Sequence, residues 1–346
     1  MRKIQYEELI QIASEEKLVN LSDVETVVND LICGLDSEDE ELGDVDYLNS
    51  PRKKLRDISR LFNNSDLQIL GTADDYHNVA VSYARQNIFD CACIILQCGL
   101  QRIPFSIDML ADLIRYGISS GQYHLCDEPY FTLSRISKIR WNWRAFSFSI
   151  DYLIEKINHI ESDEEQYKLK HQALVLADQF IEKEKSDQAY FKKANILSVF
   201  YGDSQEELTE VDVLQIGLDQ LKVAPKCALR LADIMFDKGE YQKAIENLQK
   251  CCINTFNPQP DINGSYAFLL LALSKASKIF SENQEDNNPE FETLVNSMYK
   301  DFHTAIRNGL NDTFSRTANT AIKVIEAQTG YEYPYTDAAV DDPYDF

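Results

Sequence analysis

The residues best placed to do chemistry are cysteines. "FDCACIILQCGL", residues 89–100, sets Cys91, Cys93 and Cys98 within eight residues, which raises a metal site or a redox centre. On a helix Cys91 and Cys98 share a face, while Cys93 points about 200° from Cys91. A tetrahedral zinc site needs four convergent ligands, and this helix offers two. Free cysteine behaves as a small buried hydrophobe, so the three are expected in the core, Cys91 and Cys98 beneath a neighbouring repeat. Cys251 and Cys252 are adjacent, diverge on a helix and are read the same way. His124 and Cys126 form an isolated pair, and His77, His124, His159, His171 and His303 show no ligand spacing. "GISSG" (117–121) has the letters of a nucleophile elbow, but that elbow joins a strand to a helix; here it lies between two amphipathic helices, so Ser119 is expected in a turn. The acid run "DSEDEELGDVD" (36–46) fails as an EF-hand loop, with Glu41 where glycine is needed and Tyr47 where glutamate is needed. No catalytic residue, metal ligand or cofactor emerges, and the chain reads as non-enzymatic.

Net charge sharpens the partner question. With 34 Lys and Arg against 57 Asp and Glu the chain carries −23 at pH 7. Polyanion binding requires cations that displace counterions from phosphates, so neither nucleic acid nor an anionic membrane surface is an expected partner. A basic protein partner fits, because complementary fields speed encounter. The first twenty residues lack an apolar leader core, and "YAFLLLAL" (266–273) is too short to span a bilayer. Eight cysteines without a leader point to free thiols in a cytoplasmic setting.

The elements that must position any site are helices. Only 12 Gly and 9 Pro leave little material for β-turns, and helix-period patterns run through the chain without a convincing alternating strand. Ser22 with Glu25 and Thr72 with Asp75 read as capping boxes. Ser50-Pro51 and Asn288-Pro289 read as helix starts, and Gly309 and Gly330 as helix stops. Short breaks imply antiparallel neighbours. "KIRWNWRAFSFSIDYL" (138–153) is apolar on two helical faces, which marks a central helix; Lys138, Arg140 and Arg144 add a basic spot beside Trp141 and Trp143.

A repeat is visible in two places. "ADDYHNVAVSYARQNIFDCACIILQCGLQRIP" (73–104) sets Tyr76, Ala80 and Tyr83 on one helix, Phe89 after a turn, Ala92, Leu96 and Gly99 on the next, and Pro104 at the close. "PKCALRLADIMFDKGEYQKAIENLQKCC" (225–252) repeats the layout with Ala232 and Met235, a Gly239-Glu240-Tyr241 turn, then Ala244, Leu248 and Cys251. Small residues let paired helices approach while large ones fill the seam. These stretches, and more weakly 107–136, resemble the tetratricopeptide repeat, a helical hairpin of about thirty-four residues. The resemblance implies an all-α right-handed solenoid whose concave face binds peptides or proteins and is lined by first-helix residues. Carried over residue by residue, that face would hold Asp74, His77, Val81, Arg85, Asp108, Arg115, Leu229, Asp233 and Phe236. The mixture lacks the Lys/Asn set with which some family members grip a carboxylate terminus.

The expected organisation is an N-terminal helical cap with the acid loop (1–70), repeats (71–280), a helical hairpin (281–330) and an acidic aromatic tail (331–346), "YEYPYTDAAVDDPYDF". The tail has five acids and no base, and is expected to be disordered or captured as a short motif by a basic partner or by the chain's own groove. The function read from all this is a scaffold holding a protein or peptide. The alternative is an acidic inhibitor that blocks a basic, nucleic-acid-binding partner.

Overall fold

A computed structural model of the chain describes residues 4–35, 50–199, 208–253, 264–281, 289–310 and 312–335. The acid run 36–46, Asn288 and the tail beyond Tyr335 lie outside the described residues. The chain divides into two compact units, residues 1–183 and 184–346, a division inside the stretch read from sequence as 71–280.

In the first unit α1 (Tyr6–Glu15) precedes four helical hairpins: α2 (Leu21–Leu35) with α3 (Pro51–Leu61), α4 (Ala73–Arg85) with α5 (Phe89–Arg102), α6 (Ile107–Ser119) with α7 (Asp127–Ile136), and α8 (Trp143–His159) with α9 (Asp163–Lys183). In the second unit α10 (Asp187–Ser198) pairs with α11 (Glu210–Gln220), α12 (Pro225–Asp237) with α13 (Tyr241–Ile253), and α14 (Gly264–Ser281) with α15 (Pro289–Arg307); α16 (Asp312–Thr329) follows. Within each unit the first helix of a hairpin also touches the first helix of the next, α2 on α4, α4 on α6 and α6 on α8, then α10 on α12, α12 on α14 and α14 on α16. That pattern defines stacked hairpins. Among the described residues the fold is an all-α stack of helical hairpins.

Local chemistry sets the boundaries. Thr72 accepts from the Asp75 N–H at 3.3 Å while Asp75 accepts from the Thr72 N–H at 2.7 Å, closing a capping box on α4. Ser50 caps α3 ahead of Pro51. The expected Ser22–Glu25 box does not form, because α2 already begins at Leu21 and Ser22 lies in its first turn. Gly239 turns the α12–α13 hairpin at φ 75° and Gly121 the end of α6 at φ 71°, a region open to glycine at no steric cost. A short parallel ladder, β1 (Leu18–Asn20) with β2 (Gln68–Leu70), corrects the reading of no strand. Three residues are too few to show a period of two.

One core runs from Leu9 through Tyr116 and includes Val28, Leu55, Tyr83, Cys91, Cys93 and Cys98. The described residues of 4–70 therefore share their packing with α4–α6. Gly99 sits at a tight seam: a Cβ there would lie 2.8 Å from Met109 Sδ and 2.8 Å from Tyr76 Cγ. Gly99→Ala gains helix propensity of about 1 kcal/mol but overpacks a fixed ring and thioether, at a cost of roughly 1–3 kcal/mol. The expected result is a lower Tm for the variant, read by circular dichroism. An unchanged or higher Tm would mean that the α5–α6 seam opens freely.

Candidate functional site

The first-helix face of the first unit is where separate hairpins meet through polar side chains. Asp112 lies in the apolar run "MLADLIRY" of α6 and is 1% exposed. An imidazole and a guanidinium from the flanking hairpins close on it. His77 of α4 brings Nδ1 to 2.8 Å from Asp112 Oδ2, and Arg144 of α8 donates through Nη2 to Asp112 Oδ1. Arg144 Nε lies 3.2 Å from Asp108 Oδ1 as well. The His77 and Arg144 Nε approaches fall outside directed hydrogen-bond geometry, so the Arg144 Nη2 bond is the directed one. The guanidinium carbon lies 5.7 Å from the centre of the Phe148 ring, stacking the cation on the aromatic. One carboxylate thus ties α4, α6 and α8 together.

Around this tie the face is polarised. Asp74 and Asp108 stand in the first turns of α4 and α6, and Arg85 and Arg115 lie toward the ends of the same helices, exposed. Both placements suit the helix dipoles. Neither Arg85 nor Arg115 has an ion-pair partner among the described residues. Val81 is half-buried between His77 and Arg85 on one side of α4. Tyr116, one turn beyond Asp112, has its phenol pushed up to about 12, by burial first and then by the Asp112 charge; Arg115, Arg144 and Arg85 oppose that rise.

Of the nine residues read from sequence, six lie on this face, and His77 and Asp108 are joined through Asp112 and Arg144. The other three lie on α12 in the second unit. There Asp233 accepts from the Tyr266 hydroxyl at 2.7 Å, and burial raises its carboxyl above the usual range. Phe236 meets the Tyr241 ring edge-on at 5.6 Å, and Leu229 packs on the α12–α14 core. These three are more engaged in packing than free lining residues would be.

Asp112 is the site residue that the sequence does not single out, and Arg144, there part of a basic spot, proves to be its partner. The available signal was an acid four residues after Asp108 in an otherwise apolar helix, since a buried carboxylate requires a cation. Of the aromatic stretch, Phe146, Ile150, Tyr152 and Leu153 are buried as a central helix demands, while Trp143 remains 42% exposed. Asn142 caps α8 by accepting from the Arg144 and Ala145 N–H groups.

The cysteines are packed. Cys91 accepts from Ser59 of α3 at 3.2 Å, so a neighbouring hairpin does cover it. Cys93 is fully buried, with its thiol pushed up to about 11 by burial. Cys126 is buried with its thiol at about 12, whereas His124 is exposed. The described residues hold no cluster of three or more His, Cys, Asp or Glu that could grip a metal. Because the thiolate is the reactive species, exposed Cys33 should react with a thiol reagent at pH 8 well before Cys91, Cys93 and Cys126. Peptide mapping of the labelled chain checks this, and early labelling of Cys93 would contradict its burial.

No protein-family model matches the chain. Among curated proteins, a stretch of 112 residues is 30% identical to part of cytochrome P450 monooxygenase alt1 of Alternaria solani, covering 31% of this chain and 21% of that protein. The chain thus spans about a fifth of the length of that relative. Among solved structures, a thermophilic TPR protein of Thermus thermophilus is 13% identical at a TM-score of 0.46, covering 60% of this chain and 100% of that one. Pseudomonas aeruginosa pilF is 16% identical at 0.42, covering 71% and 96%. A tetratricopeptide repeat protein of Parabacteroides merdae is 16% identical at 0.46, covering 92% and 98%. At these TM-scores the superpositions add no weight to the helix order described above. No helix among the described residues is long and apolar enough to cross a membrane.

Proposed function

We propose that the chain is a non-catalytic scaffold that holds a partner protein or peptide against the first-helix face of α4, α6 and α8. The observation that carries this reading is the His77–Asp112–Arg144 tie. A buried carboxylate that accepts from Arg144 of α8 and lies against the His77 imidazole of α4 brings three helices into one register, so the residues above it present a preorganised surface. Preorganisation lowers the ordering cost of association. Val81 offers an apolar contact, Asp74 and Asp108 face a cation of the partner, and Arg85 and Arg115 face its carboxylates. Leu229, Asp233 and Phe236 are the corresponding positions of α12 and are proposed to contact a partner there. The net charge of −23 favours fast capture of a partner with positive surface potential.

Charge reversal tests the reading. With a partner in hand, Arg85→Glu combined with Arg115→Glu should weaken binding at least about tenfold. The same reversal at exposed Arg52 and Arg60 of α3 should leave it within about twofold. Equal losses from both pairs would mean that only overall charge matters and that the face is not the site.

A further inference from the structure

Residues 331–335, "YEYPY", do not stand free of the fold. They run without helix or strand along α15 and α16, and Tyr331, Tyr333 and Tyr335 join the core of the second unit. The contacts alternate between backbone and rings. Tyr299 donates its hydroxyl to the Tyr331 carbonyl at 2.8 Å. The Tyr333 N–H donates to Glu326 Oε1 at 2.8 Å. The Tyr331 ring meets Phe291 at 6.0 Å, the Tyr333 ring meets Tyr299 edge-on at 5.3 Å, and the Tyr335 ring stacks on His303 at 4.2 Å and 9°. Burial, with Arg307 nearby, holds His303 below its ordinary range, so at neutral pH an uncharged imidazole faces the phenol. Residues 331–335 thus pack on the chain's own helices.

We infer that the groove of α15 and α16 is a peptide-recognition site for segments with aromatic residues at alternate positions, and that residues 331–335 fill it in cis. A cover that merely excluded water would need only apolar contact. This groove also places one donor and one acceptor on the peptide's main chain, two residues apart, with a ring beside each odd-numbered side chain. That is how an extended ligand is read: backbone bonds hold it, and alternate pockets select it. The partner is therefore a foreign segment of the type Tyr-x-Tyr-Pro-Tyr, which must displace the tethered copy. A tether supplies an effective concentration in the millimolar range, so the native chain should bind such a segment only weakly.

The test uses the full chain carrying Tyr333→Ala and Tyr335→Ala, and a fluorescent peptide with the sequence of residues 330–336. Anisotropy should show binding at least about tenfold tighter than to the native chain, and no comparable binding of a scrambled peptide. Adding Tyr299→Phe, which removes the donor to the first carbonyl, should weaken binding by about fivefold, the worth of one hydrogen bond. A folded double variant that ignores the peptide, or binds the scrambled one equally, overturns the proposal. Should the double variant melt, the native chain carries the test, because excess peptide must speed amide exchange at Tyr333; unchanged exchange overturns it too. Native dimers that the free peptide dissociates would make the occupant a second copy and overturn the foreign-segment assignment.

Discussion

Asp112→Ala should destabilise the first unit more than any single exposed substitution, by about 3–5 kcal/mol, the usual cost of stripping one partner from a buried ion pair. The reason is what remains. The half-buried Arg144 guanidinium would lose the acceptor of its Nη2, and α4 and α8 would lose their shared anchor on α6. For a unit of this size the Tm should fall on the order of 10 °C. The partner variant Arg144→Ala should cost a similar amount, because it leaves Asp112 buried beside His77 alone. The double variant should cost less than the sum of the singles. Calorimetry on the four chains measures that coupling. Strict additivity would show that the two side chains do not stabilise one another.

Lys275→Met should produce the second large loss, in the other unit. Lys275 of α14 reaches Asp301 of α15, with both nearly buried, and also donates to Ser297 Oγ at 2.7 Å. Burial raises the Asp301 carboxyl above its usual range, with Lys275 pulling it back. Without Lys275 the ionised carboxylate is enclosed and unpaired, at a cost of about 3–5 kcal/mol near pH 7. The sign with pH follows from the raised folded value. A carboxyl whose pKa is higher in the fold than in the unfolded chain favours the fold at low pH, and loses that contribution as pH rises through the folded value. The deficit of Lys275→Met should therefore shrink between pH 7 and pH 4.5. Pairing it with Asp301→Leu should recover most of the loss at pH 7. A deficit independent of pH would show that Asp301 does not titrate in the variant.

What the sequence disclosed and what it withheld follow from the range of the interactions. Turns and caps are local, so Gly121, Gly239 and the Thr72–Asp75 box were legible from neighbouring letters, and the two repeats showed the hairpin layout. The Thr209–Asp212 box, with the Thr209 N–H bound at 2.8 Å, has the same local signature and was passed over. The Ser22–Glu25 pattern misled, because the chain leaves β1 straight into α2 and the serine falls inside the helix. The tie on Asp112 joins α4, α6 and α8, and no periodicity within one helix reveals which distant cation will reach a buried acid. The same limit hid Asp187, which accepts from the Lys226 and Cys227 N–H groups at the start of α12. Its partner lies 39 residues away. Residues 331–335 looked like tail because they lack a helical period and lead into an acidic stretch; their packing comes from rings on α15 and from Glu326 of α16.

The most direct measurement is site-specific photo-crosslinking in the native setting, with the photoreactive residue placed at Arg85 on the first-helix face or at Gln101, also exposed, on α5. The account expects one partner captured from Arg85 and not from Gln101, and lost from the Arg115→Glu chain. Capture with equal yield from both positions, or from Gln101 alone, would contradict a scaffold that works through the face of α4, α6 and α8.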